Sequence, residues 1–231
     1  EMRHRMLAAF AARQLPAPPN HRLVLGTFNS LSLAQYNRHV RSPAKLLGPP
    51  ARSALLNSML SSYSIDERSQ FLLSLERYQG ALDPGTIDIP PEHEVFIRQY
   101  LAKLRDSHST DLPTIMRECT AMMGKRQIPL LPVSHLLGDE MQDADQIQLE
   151  FMLHHSRAGV ITTLVADDDQ TIYEWRCALG YAGLQHFARE ANAKTITLAE
   201  NFRSREEIVA HATTLIAFND PDRIPKSQVA T

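Results

Sequence analysis

The sequence predicts an α/β fold in which a parallel β-sheet is flanked by helices. Three short runs rich in Val, Ile, Leu and Thr are typical of buried parallel strands, and a stretch of helical length follows each run. This alternation favours a parallel sheet, whose ligands bind outside the carboxyl ends of the strands. The runs are residues 136–137, 160–165 and 195–198, and the helical stretches are residues 145–155, 178–191 and 206–218.

A polar loop follows each of these three runs. Asp139 and Glu140 follow the first run, residues 167–170 follow the second, and residues 200–204 follow the third. Because the carboxyl ends of parallel strands meet at one edge of a sheet, we expect the three loops to lie at the same edge. The sequence therefore predicts a ligand site built from these loops.

The N-terminal part of the chain adds two helices and a strand to this scheme. An amphipathic helix is expected within residues 2–13. A cluster of prolines separates it from residues 21–26, which have the pattern of a strand. Asn29 or Ser30 can cap the next helix, which continues to about residue 41.

Residues 49–132 differ from the rest, because they carry helical patterns and no convincing strand. Proline pairs and Pro-Gly steps separate the patterns. We interpret this region as an all-helical insertion within the α/β domain. The helical patterns cover residues 52–63, 67–79, 92–106 and 112–123.

Composition sets limits on location and partners. The chain of 231 residues can bury a real core, and its net charge of −2 means that any nucleic-acid binding must come from local patches. Cys119 and Cys177 are too few for a disulfide framework or a four-ligand zinc site, which favours a reducing, cytoplasmic setting. No apolar stretch approaches the ~20 residues of a membrane helix, so no membrane association is expected.

The acidic loops suit nucleotide chemistry but have simpler alternatives. Adjacent carboxylates such as Asp139 and Glu140 can hold Mg²⁺ and activate an attacking water, or they can be solvated loop acids. The three aspartates at 167–169 can form a metal cluster or a charged turn. Since three adjacent acids repel each other, we favour a structural or switch loop, with Gln170 facing the phosphate.

Aromatic and basic residues in two other segments also have two interpretations each. Tyr173 and Trp175 alternate with charged residues, and their rings could stack on bases or pack in the core. Arg203 precedes a helix that Ser204 is expected to cap. Its guanidinium could stabilise charge on a γ-phosphate or form a surface salt bridge.

Together these segments resemble motifs of the UvrD/Rep/PcrA DNA helicases of superfamily 1. Order and spacing match from residue 1 to about residue 218, and the helical insertion falls where that family keeps one. The matching segments are LLGDEMQD at 136–143 (an aliphatic run and DEFQD in the family), VADDDQTIYEWRCA at 165–178 (VGDDDQSIYxWRGA), LAENFRS at 198–204 (LxxNYRS), GTFNS at 26–30 (GTFHS) and EMRHR at 1–5 (the end of TFTNKAAxEMxxR).

The resemblance implies a RecA-like ATPase fold and roles for the matching residues. Asp139 would hold Mg²⁺, Glu140 would be the general base, and Gln170 would couple the γ-phosphate of ATP to the DNA site. Arg203 would be the arginine finger, and Phe202 would stack on adenine. The residues expected at the single-stranded DNA are Phe28, Asn29, Tyr173, Trp175 and Arg176.

The sequence departs from the family pattern at several positions. Asn29 replaces a His, Met141 replaces a Phe, and Ala166 and Cys177 replace two glycines. The added side chains could weaken activity or mark a divergent branch. No GxxxxGK[ST] loop occurs in the 231 residues, and we expect that truncation removed it. We therefore expect the chain by itself neither to bind ATP tightly nor to hydrolyse it.

We expect four parts: the start of a RecA-like domain (1–48), a helical insertion (49–132), the rest of that domain (133–200) and the start of a second RecA-like domain (201–231). The resemblance implies an ATP-dependent helicase that moves 3′ to 5′ on single-stranded DNA and acts at duplex junctions. The alternatives are a degenerate helicase-like module that binds DNA or a partner, and the helicase part of a helicase–nuclease. A nuclease built on Glu140 and 167–169 is less favoured.

Overall fold

The structure is a computed structural model that describes residues 2–19, 23–41, 43–171, 177–218, 224 and 229–230. Helices in these ranges are α1 (Met2–Ala12), α2 (Phe28–His39), α3 (Pro49–Met59), α4 (Ile65–Gln79), α5 (Pro91–Asp106), α6 (Leu112–Gly124), α7 (Gln146–Arg157), α8 (Gly180–Glu190) and α9 (Glu206–Ile216). The strands are β1 (Lys45–Leu46), β2 (Ser109–Thr110), β3 (His135–Gly138), β4 (Ile161–Leu164), β5 (Glu200–Asn201) and β6 (Val229–Ala230).

The strands pair in parallel, which confirms the prediction of a mixed α/β fold. β3 and β4 pair along their whole length, from His135 opposite Ile161 to Gly138 opposite Leu164. β1 pairs with β2, and β5 pairs with β6, over two residues each. The described residues thus form three separate two-stranded sheets, and a single RecA-like sheet stays a prediction.

Two of the strand predictions are wrong, because the described residues of these segments form no strand. Residues 23–26 are irregular, and so are residues 195–198, where the strand forms only afterwards as β5. An apolar run becomes a strand only where a neighbouring strand pairs with it. Ile196 and Leu198 are 70% and 81% exposed, so nothing in the described structure covers this run as a parallel sheet requires.

The helical region, residues 49–132, follows the prediction closely. Helices α3 to α6 occupy the four expected stretches, with ends shifted by up to a few residues. The expectation of no strand there is wrong, because Ser109 and Thr110 form β2 and pair with β1 from the preceding segment. The pairing ties the C-terminal end of α5 back to the chain that enters the helical region.

Two hydrophobic clusters hold these elements together. The first lies among α3, α4 and α5 and includes Leu75, Ile97 and Tyr100, each with 1% or less of its surface exposed. The second lies among α2, α6 and α7 around Ile115 and Phe151, which are fully buried. Leu136 of β3 and Leu164 of β4 pack against the second cluster, which therefore supports the sheet that carries the acidic loops.

Helix caps differ in part from the sequence prediction. Thr27, rather than Asn29 or Ser30, caps α2, and its Oγ1 accepts a hydrogen bond from the Ser30 amide at 3.2 Å. Arg205 precedes α9 without a side-chain cap, so the predicted cap by Ser204 is wrong. At α7 the expected start is confirmed by a capping box between Asp145 and Gln148.

Within the described ranges, no helix is long and apolar enough to cross a membrane.

A buried charged network joins the helices of the helical region. The Asp111 carboxylate has no exposed surface, and it accepts hydrogen bonds from Tyr100 Oη at 2.7 Å, Gln79 Nε2 at 2.9 Å and Arg52 Nε at 3.0 Å. The Thr114 amide donates to its other oxygen at 3.0 Å, so Asp111 also caps α6. Burial acts to raise the pKa of Asp111, but these hydrogen bonds outweigh it and hold the pKa below its ordinary value.

We predict that Asp111→Ala lowers the free energy of unfolding by about 3–5 kcal/mol, because it strands the partly buried Arg52 guanidinium and removes a cap. Glu94→Ala, which breaks an exposed ion pair with Arg98 on α5, should cost at most about 0.5 kcal/mol. Urea unfolding of both variants is the measurement. Since the Asp111 pKa is lowered in the folded chain, the contribution of Asp111 to the free energy of unfolding should be lost as the pH falls below about 4. Equal destabilisation by the two variants would contradict the assignment.

Candidate functional site

The first acidic loop begins where β3 ends. A Cβ added at Gly138 would lie 2.6 Å from Met141 Sδ, so glycine lets Met141 fold back against the end of the strand. Asp139 and Glu140 follow with exposed carboxylates, and Asp139 Oδ1 accepts a hydrogen bond from the Glu140 amide at 3.1 Å. Glu140 has a left-handed backbone with φ 52°, a conformation that costs a non-glycine residue roughly 1–3 kcal/mol and is enriched at functional sites.

The loops after β3 and β4 are joined by hydrogen bonds. The Val165 amide donates to Gly138 O at 2.8 Å, and the Met141 amide donates to Val165 O at 3.0 Å, so the pairing continues past the strands. Gln142 completes the link. Its side chain donates to Glu140 Oε2 at 2.7 Å and accepts from the Asp167 amide at 3.1 Å.

The second acidic loop is organised around Asp167. Its Oδ1 accepts from the Asp169 amide at 3.3 Å, and its Oδ2 accepts from Gln170 Nε2 at 2.6 Å. One carboxylate oxygen from each of Asp167, Asp168 and Asp169 lies within 4.8 Å of the others. Asp167 therefore shapes the turn that carries Gln170, in keeping with a structural or switch loop. The phosphate-facing role of Gln170 stays a prediction.

Asp143 lies beside the first loop and has an unusual environment. Its Oδ1 atom is buried and has no hydrogen-bond partner among the described residues. Burial raises the pKa of Asp143, and the negative charge of Glu140 raises it further. The turn thus holds three carboxyl groups: those of Asp139 and Glu140 are exposed, and Asp143 is half-buried with one carboxylate oxygen shielded from solvent.

The third loop forms an open cleft after β5. Asn201 Oδ1 accepts from the Arg203 and Ser204 amides at 3.0 Å each, which fixes the turn before α9. Phe202 is 76% exposed and Arg203 is exposed, so both side chains are accessible from solvent. The cleft has a volume of about 400 Å³, and its lining residues are Leu198, Glu200, Asn201, Phe202 and Arg203.

The described residues near the C-terminus contact the second and third loops at two separate points. The Ile224 amide donates to Asp168 Oδ2 at 2.7 Å, and β6 pairs with β5 immediately before Phe202. Among the described residues, no hydrogen bond or ion pair joins the Arg203 side chain to the two acidic loops. The structure therefore brings the first two loops together and leaves Arg203 as a separate element.

The residues predicted to contact DNA are only partly described. Phe28 is half-buried, and its ring packs edge-to-face on Phe151 with 5.6 Å between centroids, so it belongs to the second hydrophobic cluster. Asn29 is exposed. Tyr173, Trp175 and Arg176 lie outside the described residues, and their roles stay predictions.

Sequence reasoning missed the polar residues that organise these loops. Gln142 and Asn201 each fix a neighbouring turn through a side-chain amide, and the sequence alone assigns neither of them a role. The available signal was a Gln or Asn within a few residues of a strand end, a pattern too common to be specific. Local hydrogen bonding of such residues becomes visible only in the structure.

Comparison with known proteins identifies the family that the chain resembles. Residues 92–190 match the UvrD/REP helicase N-terminal domain, and this range contains Asp139, Glu140 and Gln170. The chain is UvrD/Rep-like. Phe28, Phe202 and Arg203 fall outside the matched range, so their correspondence depends on short motifs.

Three relatives show the extent of this UvrD/Rep-like similarity. DNA helicase II of Haemophilus influenzae is 39% identical over 94 residues, 40% of this chain and 12% of the relative. ATP-dependent DNA helicase Rep of Buchnera aphidicola is 33% identical over 128 residues, 54% of this chain and 20% of the relative. An ATP-dependent helicase/nuclease protein of Carboxydothermus hydrogenoformans is 40% identical over 75 residues, 32% of this chain and 6% of the relative. The chain thus spans a small part of these relatives.

The two positions at which the UvrD/Rep-like chain lacks the family glycines differ in backbone conformation. Cys177 has φ 68°, in the left-handed region that favours glycine, whereas Ala166 is not among the residues with positive φ. We predict that Cys177→Gly raises the free energy of unfolding by about 0.5–1 kcal/mol by relieving strain. Ala166→Gly should lower it by at least a similar amount, because it adds freedom to the unfolded chain and removes a methyl group that packs against the second hydrophobic cluster. Thermal and urea unfolding measure both, and a loss of stability in both variants would refute the strain at Cys177.

Proposed function

We propose that the chain is part of the motor of an ATP-dependent DNA helicase, which couples MgATP hydrolysis to 3′ to 5′ movement on single-stranded DNA. The main support is the position of Glu140 and Gln170, which lie in the UvrD/Rep match and follow paired parallel strands whose loops are linked through Gln142. Ligands of parallel sheets bind at this edge. A cytoplasmic location and action at duplex junctions belong to the same proposal.

The first two loops have the donor chemistry that MgATP requires. Asp139 and Glu140 present exposed carboxylate oxygens, and hard cations such as Mg²⁺ prefer oxygen ligands. In the proposal Asp139 holds the ion, which neutralises charge on the transferred phosphoryl group when bound. Glu140 accepts the proton of the attacking water, and Gln170 orients toward the γ-phosphate. The left-handed backbone of Glu140 is consistent with a role in which its carboxylate must be held in one defined position.

The third loop supplies the remaining nucleotide contacts in the proposal. Phe202 offers an exposed ring for adenine, and Arg203 offers a guanidinium for the γ-phosphate. The cleft is open, and Arg203 forms no hydrogen bond or ion pair with either acidic loop among the described residues. In the proposal, a movement of the third loop toward the two acidic loops brings the arginine to the γ-phosphate. The proposed boundaries remain 1–48 and 133–200 for the first RecA-like domain, 49–132 for the insertion and 201–231 for the second domain.

A second candidate is the helicase part of a helicase–nuclease. The observation that favours it is the 40% identity to the relative from Carboxydothermus hydrogenoformans, whose name includes both helicase and nuclease. Both candidates place the same motor chemistry on Glu140 and Arg203. A nuclease domain encoded beyond residue 231 would decide between them.

A module that binds DNA without hydrolysing ATP would share the fold but show no ATP turnover. The 231 residues without a phosphate-binding loop are proposed to be inactive on their own.

We predict that Trp175→Ala in the intact protein weakens binding of single-stranded DNA by roughly 1–3 kcal/mol, the usual value of one base–aromatic stack. Trp175→Phe should keep most of the affinity, because it retains a ring. Titration of labelled DNA followed by anisotropy measures the affinity, and single-stranded DNA should quench the fluorescence of Trp175, the only tryptophan in the chain. Basal ATP hydrolysis should persist in both variants.

The opposite outcome has a clear signature. If Trp175 is a core residue, Trp175→Ala would cost ~3–5 kcal/mol of stability and leave DNA affinity unchanged. A thermal melt of the same variant beside the DNA titration separates the two results. A large drop in melting temperature with unaltered binding would contradict the DNA-contact role.

A further inference from the structure

Gln142 is the one residue whose side chain contacts both acidic loops among the described hydrogen bonds. It is 2% exposed, and both ends of its amide are used. The nitrogen donates to the Glu140 carboxylate at 2.7 Å, and the oxygen accepts from the Asp167 amide at 3.1 Å. These two partners belong to loops that follow different strands and lie 27 positions apart by their numbers, 140 and 167.

The chemistry of this position selects an amide. Glu140 is an acceptor and the Asp167 amide is a donor, so a residue between them must donate at one end and accept at the other. Glutamine does both without a charge. A glutamate at position 142 could still accept from Asp167, but it would place a second carboxylate beside Glu140. A leucine would satisfy neither partner.

The hydrogen bonds of Gln142 extend a longer chain of contacts. Asp167 continues the path, because its carboxylate accepts from Gln170 Nε2 at 2.6 Å. Glu140, Gln142, Asp167 and Gln170 are therefore connected in series, from the proposed base to the proposed phosphate sensor. On the backbone, the Met141 amide bonds to Val165 O and holds Gln142 at a fixed distance from β4.

We propose that Gln142 is a positioning residue that couples Glu140 to the loop at Asp167–Gln170. Displacement of the Glu140 carboxylate frees the Gln142 amide, which loosens the Asp167 amide and with it the turn that carries Gln170. In the helicase, this link would transmit the state of the catalytic carboxylate to the loop that faces the phosphate and precedes the DNA-contact segment. The mechanistic meaning of the link rests on the proposed function, whereas its existence does not.

The test is amide hydrogen exchange of Asp167 in the full 231-residue chain, followed by NMR. Glu140→Ala removes the acceptor that fixes Gln142, and it should speed Asp167 exchange roughly five- to tenfold. Glu140→Gln is the matched control. It removes the same charge but keeps a side-chain oxygen that can accept from Gln142 Nε2, so Asp167 exchange should stay within about twofold of the unaltered chain.

A double-mutant cycle shows whether Gln142 carries the effect. Gln142→Leu should itself speed Asp167 exchange by roughly tenfold, and Glu140→Ala added to it should change the rate by less than about twofold. If Gln142→Leu fails to fold, Gln142→Glu replaces it, because the new carboxylate keeps the acceptor for Asp167 and gives no donor to Glu140. In that background Glu140→Ala should again have no accelerating effect.

Two results would overturn the proposal. One is unchanged Asp167 exchange in Glu140→Ala, and the other is an equal acceleration in Glu140→Gln, which would mean an effect of the lost charge and not of the lost acceptor. If Gln142 were purely structural, Gln142→Leu would lower stability, and the effects of Glu140→Ala and Gln142→Leu on Asp167 exchange would be additive. Since the measurement uses neither ATP nor DNA, its failure leaves the helicase proposal standing. Conversely, if the intact protein does not hydrolyse ATP, a measured coupling between Glu140 and the Asp167 amide would still hold.

Discussion

The parallel pairing of β3 with β4 is the constraint on which the candidate site depends. Because both strands end at the same edge, the acidic turn after Gly138 and the aspartate turn after Val165 become neighbours. The backbone bonds from Val165 to Gly138 and from Met141 to Val165 carry the pairing into the loops. Gln142 then uses buried hydrogen bonds, which are strong where water is excluded, to set one loop against the other. The exposed carboxylates of Asp139 and Glu140 sit on a rigid base.

Stability and site chemistry come from different parts of the chain. The helical region is held by its own hydrophobic cluster and by the Asp111 network, whose buried charge is matched by Arg52, Gln79 and Tyr100. The sheet that carries the acidic loops is supported by α7 and the cluster around Phe151. The UvrD/REP match begins at residue 92, inside the helical region, and continues through both acidic loops. The matched segment therefore includes structural helices as well as the proposed catalytic turn.

Helices were predictable from the sequence because their signal is local. The 3.6-residue periodicity and the prolines at α3 and α5 gave helix positions to within a few residues. The strands predicted at 21–26 and 195–198 are wrong in the described residues 23–26 and 195–198, because pairing depends on a partner that a local pattern does not reveal. Candidate acids were found from their position after apolar runs, yet the organising roles of Gln142 and Asn201 depend on hydrogen bonds that only the folded chain shows. The left-handed backbone of Cys177 likewise appears only in the structure.

The central claim is that the acidic turn of this UvrD/Rep-like chain belongs to a DNA-driven ATPase. The most direct measurement is ATP turnover by the intact protein with single-stranded DNA, together with ATP binding. Glu140→Gln should abolish turnover and spare binding, Arg203→Ala should lower turnover by ~10³–10⁵, and Glu94→Gln on the exposed surface of α5 should change neither. Turnover near the unaltered level in Glu140→Gln would contradict the account.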